Sequence, residues 1–211
     1  MVDFASQENL RARLQRSDEA ALAEVFSLCR DRLWRMVNFR LDKRLCSRLW
    51  PDDVLQEAYL AAVKRIRRFA DDGFESPLVW LRMVVHQTLI DMHRKHLNTQ
   101  KRDAEREISL NGKRFAQTTA ASMVFQLVGD WTTPSQAAVR AERLDTVESA
   151  INELDPLDRE VLALRHFEEL TNSEVAEELG ITGRAASIRY VRALRRLKNI
   201  VSQCPGLLQN E

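Results

Sequence analysis

Six basic residues and no acid crowd residues 179–198, "LGITGRAASIRYVRALRRLK": Arg184, Arg189, Arg192, Arg195, Arg196 and Lys198. Guanidinium forks at helical spacing suit two targets, phosphate oxygens and the edges of bases. Arg184 and Ser187 have the donors for base edges, and Ile188 can touch a thymine methyl. Arg189, Arg192 and Arg196 suit phosphates, and Thr182 offers a hydroxyl at a helix N-terminus. A solvated basic helix closing an ordinary bundle would have the same composition, so arginine content alone does not decide.

The residues upstream favour the groove-binding geometry. In "TNSEVAEELGITGRAASIRYV", Thr171 and Glu174 have the spacing of a capping box. Val175, Ala176 and Leu179 give the short helix an inward face, and small Ala176 permits close packing. Gly180 can adopt the left-handed conformation that stops this helix, Ile181 turns inward, and Thr182 caps the next helix. That next helix turns Ala186, Tyr190, Ala193, Leu194 and Leu197 inward. Capping box, small residue, turn glycine and second cap together predict a helix-turn-helix.

Two further clusters lie far upstream. Asp53, Gln56 and Glu57 share one face of a helix opening at Pro51, with acids in its first turn and bases in its last. They suit a basic partner surface or simply the helix dipole, which accounts for Asp52 outright. Gln87, Asp91, Arg94 and Lys95 sit on a long helix, apolar early and basic late. Asp91 and Arg94 fit either a nucleic-acid contact or an intrahelical ion pair. Trp80 reads as core. His93 and His96 lack a third ligand and make a poor metal site.

The elements that must position these clusters are helical almost throughout. The chain has 211 residues, only 6 glycines and 5 prolines, and apolar residues recurring at helical spacing. Ser17 is a plausible cap for a helix whose stripe is Leu22, Val25, Phe26, Leu33 and Val37. "ADDGFESP" breaks the pattern at Gly73 and Pro77. Near Asn98 the composition turns rich in Thr, Ser and Gln and periodicity weakens until Gln136. The expected organisation is all-α, with helical domains at 1–97 and 136–203 joined by a linker at 98–135. Trp131 and "MVFQLV" are unusually apolar for a disordered tether.

Several classes are disfavoured. Net charge is +1, so basic character is local rather than global. Cys29, Cys46 and Cys204 suggest neither a disulfide framework nor a zinc site. Neither a signal peptide nor an apolar run able to span a bilayer is visible, so a reducing cytoplasm is expected. There is no glycine-rich phosphate loop, nucleophile elbow or cluster of metal ligands, so no catalytic residue, cofactor or metal is expected. A one-domain transcription regulator explains the helix-turn-helix but not the upstream clusters. An RNA adaptor lacks aromatic stacking motifs.

"LDREVLALRHFEELTNSEVAEELGITGRAASIRYVRALRRLK" resembles region four of bacterial sigma factors. "DDVLQEAYLAAVKRI" is similar to the polymerase-binding part of region two, and "SPLVWLRMVVHQTLIDMHRKHLNTQKRD" to its melting and −10-reading part. With only these two regions and a linker, the chain resembles the extracytoplasmic-function class. The wording of "VHQTLIDMHRKH" and "RALRRLK" especially resembles the large set of factors found in planctomycete-type bacteria. The resemblance implies a non-enzymatic factor that binds core RNA polymerase and promoter DNA, with an anti-sigma factor as a further possible partner. On the polymerase, the largest subunit's coiled coil and the flap are the implied contacts. It implies polymerase docking by Asp53, Gln56 and Glu57, and −10 contacts by Gln87, Asp91, Arg94 and Lys95. The −35 contacts fall to Thr182, Arg184, Ser187, Ile188, Arg189, Arg192 and Arg196. Ala185-Ala186 departs from the Thr-Val or similar pair common in the family, which removes a donor near the base edges.

Overall fold

The computed structural model describes residues 4–41, 45, 49–98, 123, 149 and 151–203. All regular elements among them are helical, as the periodicity predicts. The chain divides into two compact units, Met1–Arg106 and Glu107–Glu211.

The first unit begins with α1 (Phe4–Gln15) and α2 (Glu19–Arg40). Between them Ser17 takes a left-handed φ of 60°. Its N–H donates to Leu14 O at 2.8 Å, and that of Asp18 to Arg13 O at 3.2 Å. These bonds close α1 in a Schellman motif, a place usually given to glycine. The cap of α2 is therefore Asp18 rather than Ser17, whose backbone is committed to ending the preceding helix. The Asp18 carboxylate accepts from Ala20 N at 2.9 Å and Ala21 N at 3.2 Å.

Helix α3 (Pro51–Arg65) packs antiparallel to α2, with Phe26 edge-on to Tyr59 and Arg30 paired with Asp52 at the opposite end. A 3-10 turn, Ile66–Arg68, follows. The next loop contains Gly73 at φ 70°, and α4 (Pro77–Asn98) starts at the proline that ended the sequence break. Four residues of the anticipated α2 stripe, Leu22, Val25, Leu33 and Val37, are buried, and Phe26 is half-buried. Val54, Leu55 and Ala58 of α3 and Leu81, Val84, Val85 and Leu89 of α4 complete this core.

In the second unit, Asp155 caps α5 (Pro156–Leu162), accepting from Leu157 N at 3.0 Å. The helix then widens into a π turn, Ala163–Phe167. Helices α6 (Asn172–Leu179) and α7 (Gly183–Gln203) follow. Their core is Val161, Leu164, Leu170, Val175 and Ala186, with Leu179, Ile181 and Tyr190 packed against it. Most of the anticipated linker, Trp131 included, lies outside the described residues; Met123 is helical and buried.

Candidate nucleic-acid interface

The α6–α7 corner forms through local hydrogen bonds. Thr171 N donates to Glu174 Oε2 at 2.7 Å, and Glu174 N donates to Thr171 Oγ1 at 3.3 Å, closing the capping box. Gly180 is left-handed at φ 62° and ψ 34°. Ile181 N returns to Ala176 O at 2.9 Å, which steers Ile181 toward the core. Thr182 Oγ1 accepts from Ala185 N at 3.1 Å and starts α7.

Helix α7 sorts its side chains into three faces. Ala186 and Ala193 are buried. Arg184, Ile188, Val191 and Arg195 are exposed, with Ser187 half-buried at the edge of this outward face. Ile188 is 57% exposed although apolar, as a side chain reserved for a partner would be. A shallow groove follows Ser187, Ile188, Val191 and Arg195 along the helix, with Arg192 and Arg196 on its border. Ala185 is half-buried and Arg196 exposed.

The third face holds Arg189 and Arg192, whose guanidinium groups converge on Asp158 of α5. Arg189 Nη1 donates to Asp158 Oδ1 at 2.7 Å; Arg192 donates from Nε to Oδ2 and from Nη2 to Oδ1, both at 2.6 Å. The Asp158 side chain is 0% exposed, while those of Arg189 and Arg192 keep 29% and 50%. Arg189 also stands 3.5 Å from Asp155. On a neighbouring flank of α7, Arg165 lies over the Tyr190 ring at 5.3 Å. Sequence reading passes over Asp158, because its partners are 31 and 34 positions away.

Burial pushes the Asp158 carboxyl up, but the hydrogen bonds and charges of Arg192 and Arg189 outweigh it and hold the group below its ordinary value. A carboxylate with a depressed folded pKa stabilises fully above its unfolded value near 4, and that contribution disappears as pH falls through the folded pKa. Hydrogen-exchange protection across residues 156–203, taken relative to the intrinsic rate, should therefore fall below about pH 4. Asp158→Asn should flatten this dependence; an unchanged pH profile in the variant would exclude Asp158 as its source.

In the first unit, Gln87 Nε2 donates to Asp91 Oδ1 at 3.1 Å. Asp91, Arg94 and Lys95 are exposed, and Gln87 is half-buried. Asp91 thus accepts from Gln87, four residues back, rather than from Arg94. Met83, Gln87, Asp91 and Lys95 follow at four-residue intervals and share one side of α4. At the Met83 end opens a cleft of about 350 Å³, lined by Arg65, Arg68, Asp72, Phe74, Trp80 and Met83. Trp80 is buried as expected, yet its indole Nε1–H has no hydrogen-bond partner. Two cations, a carboxylate and the Phe74 ring form a set able to hold an unstacked base. His93 is half-buried, and the side chain of His96 lies outside the described residues. No cluster of three or more metal-ligand side chains occurs among the described residues.

On α3, Asp53, Gln56 and Glu57 are exposed along one face. Asp53 also accepts from Trp50 N at 3.1 Å, so this carboxylate serves the helix start as well. Asp52, by contrast, pairs with Arg30. Two side chains missed in the sequence reading join the face: Leu60, 49% exposed and seven residues after Asp53, and Trp50, 68% exposed at the helix start. Helical periodicity assigns a leucine to the core by default, and only the packed fold shows this one outside. No described helix is long and apolar enough to cross a membrane.

Residues 26–99 match Sigma-70 region 2, and residues 150–199 match Sigma-70, region 4, together more than half of the chain. The chain is 26% identical over 190 residues to ECF RNA polymerase sigma factor SigW of Bacillus subtilis, covering 88% of this chain and 91% of that one. It is 28% identical over 182 residues to ECF RNA polymerase sigma factor SigD of Mycobacterium tuberculosis, covering 86% and 77%. Among solved structures, CnrH in complex with the cytosolic domain of CnrY has the same fold, with a TM-score of 0.50 at 20% identity, covering 93% of this chain and 97% of that one.

Proposed function

We propose, from the premise that this chain belongs to the extracytoplasmic-function class of sigma-70 factors, a division of labour among its residues. A factor of this class is not an enzyme; it binds core RNA polymerase and DNA and directs transcription initiation. Here the exposed α3 face of Asp53, Gln56 and Glu57, extended by Trp50 and Leu60, docks on polymerase. The α4 side of Gln87, Asp91, Arg94 and Lys95, with the cleft at its Met83 end, takes the melted −10 strand. The α7 outward face reads the −35 element: Arg184 and Ser187 at base edges, Ile188 at a thymine methyl, Thr182 and Arg196 toward phosphates. Arg189 and Arg192 are first engaged by Asp158. Residues 1–97 and 136–203 act as the two promoter readers, with 98–135 as the linker. Within the class we place the chain with planctomycete-like factors, on the wording of "VHQTLIDMHRKH" and "RALRRLK". Its working compartment is the cytoplasm. The fold shared with a factor solved in complex with CnrY supports an anti-sigma partner here too.

The observation that carries the −35 reading is the capped corner that leaves Arg184 and Ile188 exposed on α7. Arg184→Ala should cost about 1–3 kcal/mol of discrimination at one base position. Run-off transcription with purified core enzyme on promoters altered one base at a time measures it. Equal weakening on every promoter would mean that Arg184 does not read a base.

A further inference from the structure

We propose that Asp158 is a positioning residue for upstream promoter choice, engaging the guanidinium groups of Arg189 and Arg192 and fixing the rotation of α7. The proposal rests on the reading of α7 as the −35 reader. At about 100° per residue, Arg189 and Arg192 lie on one flank of α7, roughly a quarter turn from Arg184, Ile188 and Val191. The core face of Ala186 and Ala193 lies on the other side of that flank.

On the core face Ala186 and Ala193 present little shape to interlock, which leaves Tyr190 to resist rolling of α7 there. A bidentate fork does not tolerate it, because both N–H···O bonds from Arg192 are lost together when the helix turns. Arg189 adds a third bond to the same carboxylate, one turn earlier along α7. Asp158 itself is anchored in the first turn of α5, where its N–H donates to Asp155 Oδ1 at 3.3 Å. The arrangement joins the scaffold helix to the reading helix through one buried group.

It also changes the electrostatics of binding. Two arginines satisfied by an internal carboxylate release fewer counterions on DNA than two free ones, so sequence-independent grip is traded for a defined orientation. Asp158→Asn should loosen that restraint and make both arginines available to phosphates.

The test uses the full chain in two measurements. In holoenzyme run-off assays, Asp158→Asn should lower the ratio of activity on the matched promoter to that on upstream-substituted promoters by about tenfold. In binding of the full chain alone to a non-specific duplex across a salt series, the log–log slope should steepen by about one to two. A purely structural role would weaken binding without steepening the slope, and that result overturns the proposal, as does an unchanged promoter ratio. Should Asp158→Asn fail to fold, Arg192→Lys keeps the charge but removes the fork; the promoter ratio should fall in the same way, and the slope should change by less than about one because Asp158 still engages Arg189. Arg184→Ala serves as the reference: if it leaves upstream choice intact, the −35 reading fails. If Arg184→Ala alters choice and Asp158→Asn does not, only the positioning role fails.

Discussion

Trp80→Ala should destabilise the N-terminal unit by about 3–5 kcal/mol, the cost of truncating a fully buried tryptophan. The ring is 0% exposed and stands edge-on to Phe69, with centroids 5.3 Å apart and an interplanar angle of 77°. Truncation leaves a cavity between α4 and the end of the 3-10 turn, and the aromatic pair itself contributes about 0.5–1.5 kcal/mol beyond area. Against a domain stability of about 5–15 kcal/mol, that removes a large share of the margin. Promoter opening should weaken as the temperature rises toward the lowered midpoint. Trp80→Phe separates packing from chemistry. It keeps a ring against Phe69 but removes an N–H that has no partner in the free protein. Its stability loss should be small, about 1–2 kcal/mol, because no internal hydrogen bond breaks. Because the indole N–H is buried, Trp80→Phe holoenzyme should open the promoter at close to the wild-type rate while remaining folded. Permanganate reactivity of melted thymines reports opening, and denaturant titration reports stability. A Trp80→Ala protein as stable as wild type would contradict the packing argument.

The parts of this architecture that were legible in sequence are those governed by neighbours a few residues apart. Thr171 with Glu174, Gly180, Thr182 and Pro51 each act through bonds or dihedrals inside one turn, so their spacing announces the corner and the helix starts. Ser17 and Asp18 show where local rules become ambiguous. Both residue types can cap, and the choice is made by the closure of α1 on Arg13 and Leu14. The π turn at Ala163–Phe167 has no such marker, because one extra residue per turn alters backbone register without changing composition. Asp158 was invisible for a different reason. Its meaning comes from two arginines on another helix, and in sequence it is one acid among several near a helix start. The candidate surfaces were legible as residue types, but their boundaries were not. Leu60 and Trp50 look like core until packing leaves them outside. The cleft beside Met83 likewise gathers residues from α3, the loop and α4 that no single periodicity connects.

Trp50→Ala should weaken binding to core RNA polymerase by at least about thirtyfold while leaving the fold intact, which would make Trp50 a hot spot of the docking face. The indole is 68% exposed, so truncation removes little packing, and surface changes of this kind usually alter stability by no more than about 0.5 kcal/mol. The start of α3 also survives. The bond to Asp53 uses the backbone N–H of residue 50, which alanine retains. A large apolar ring beside Asp53, Gln56 and Glu57 matches the anatomy of a binding centre, with an apolar anchor and charges at its rim. Leu60 continues the apolar contact along the same face, and Leu60→Ala should have a smaller effect in the same direction. The two kinds of residue should separate in kinetics. Glu57→Gln should mainly slow association and weaken its salt dependence, because long-range attraction acts before contact. Trp50→Ala should mainly speed dissociation, because burial of the ring is realised only in the formed complex. Surface-immobilised core enzyme with full-length variants measures both rates. Wild-type dissociation for Trp50→Ala would remove the tryptophan from the interface, whatever the charged residues do. Fast dissociation with normal association would place the energetic centre of docking at the start of α3, with the acidic residues setting approach and register.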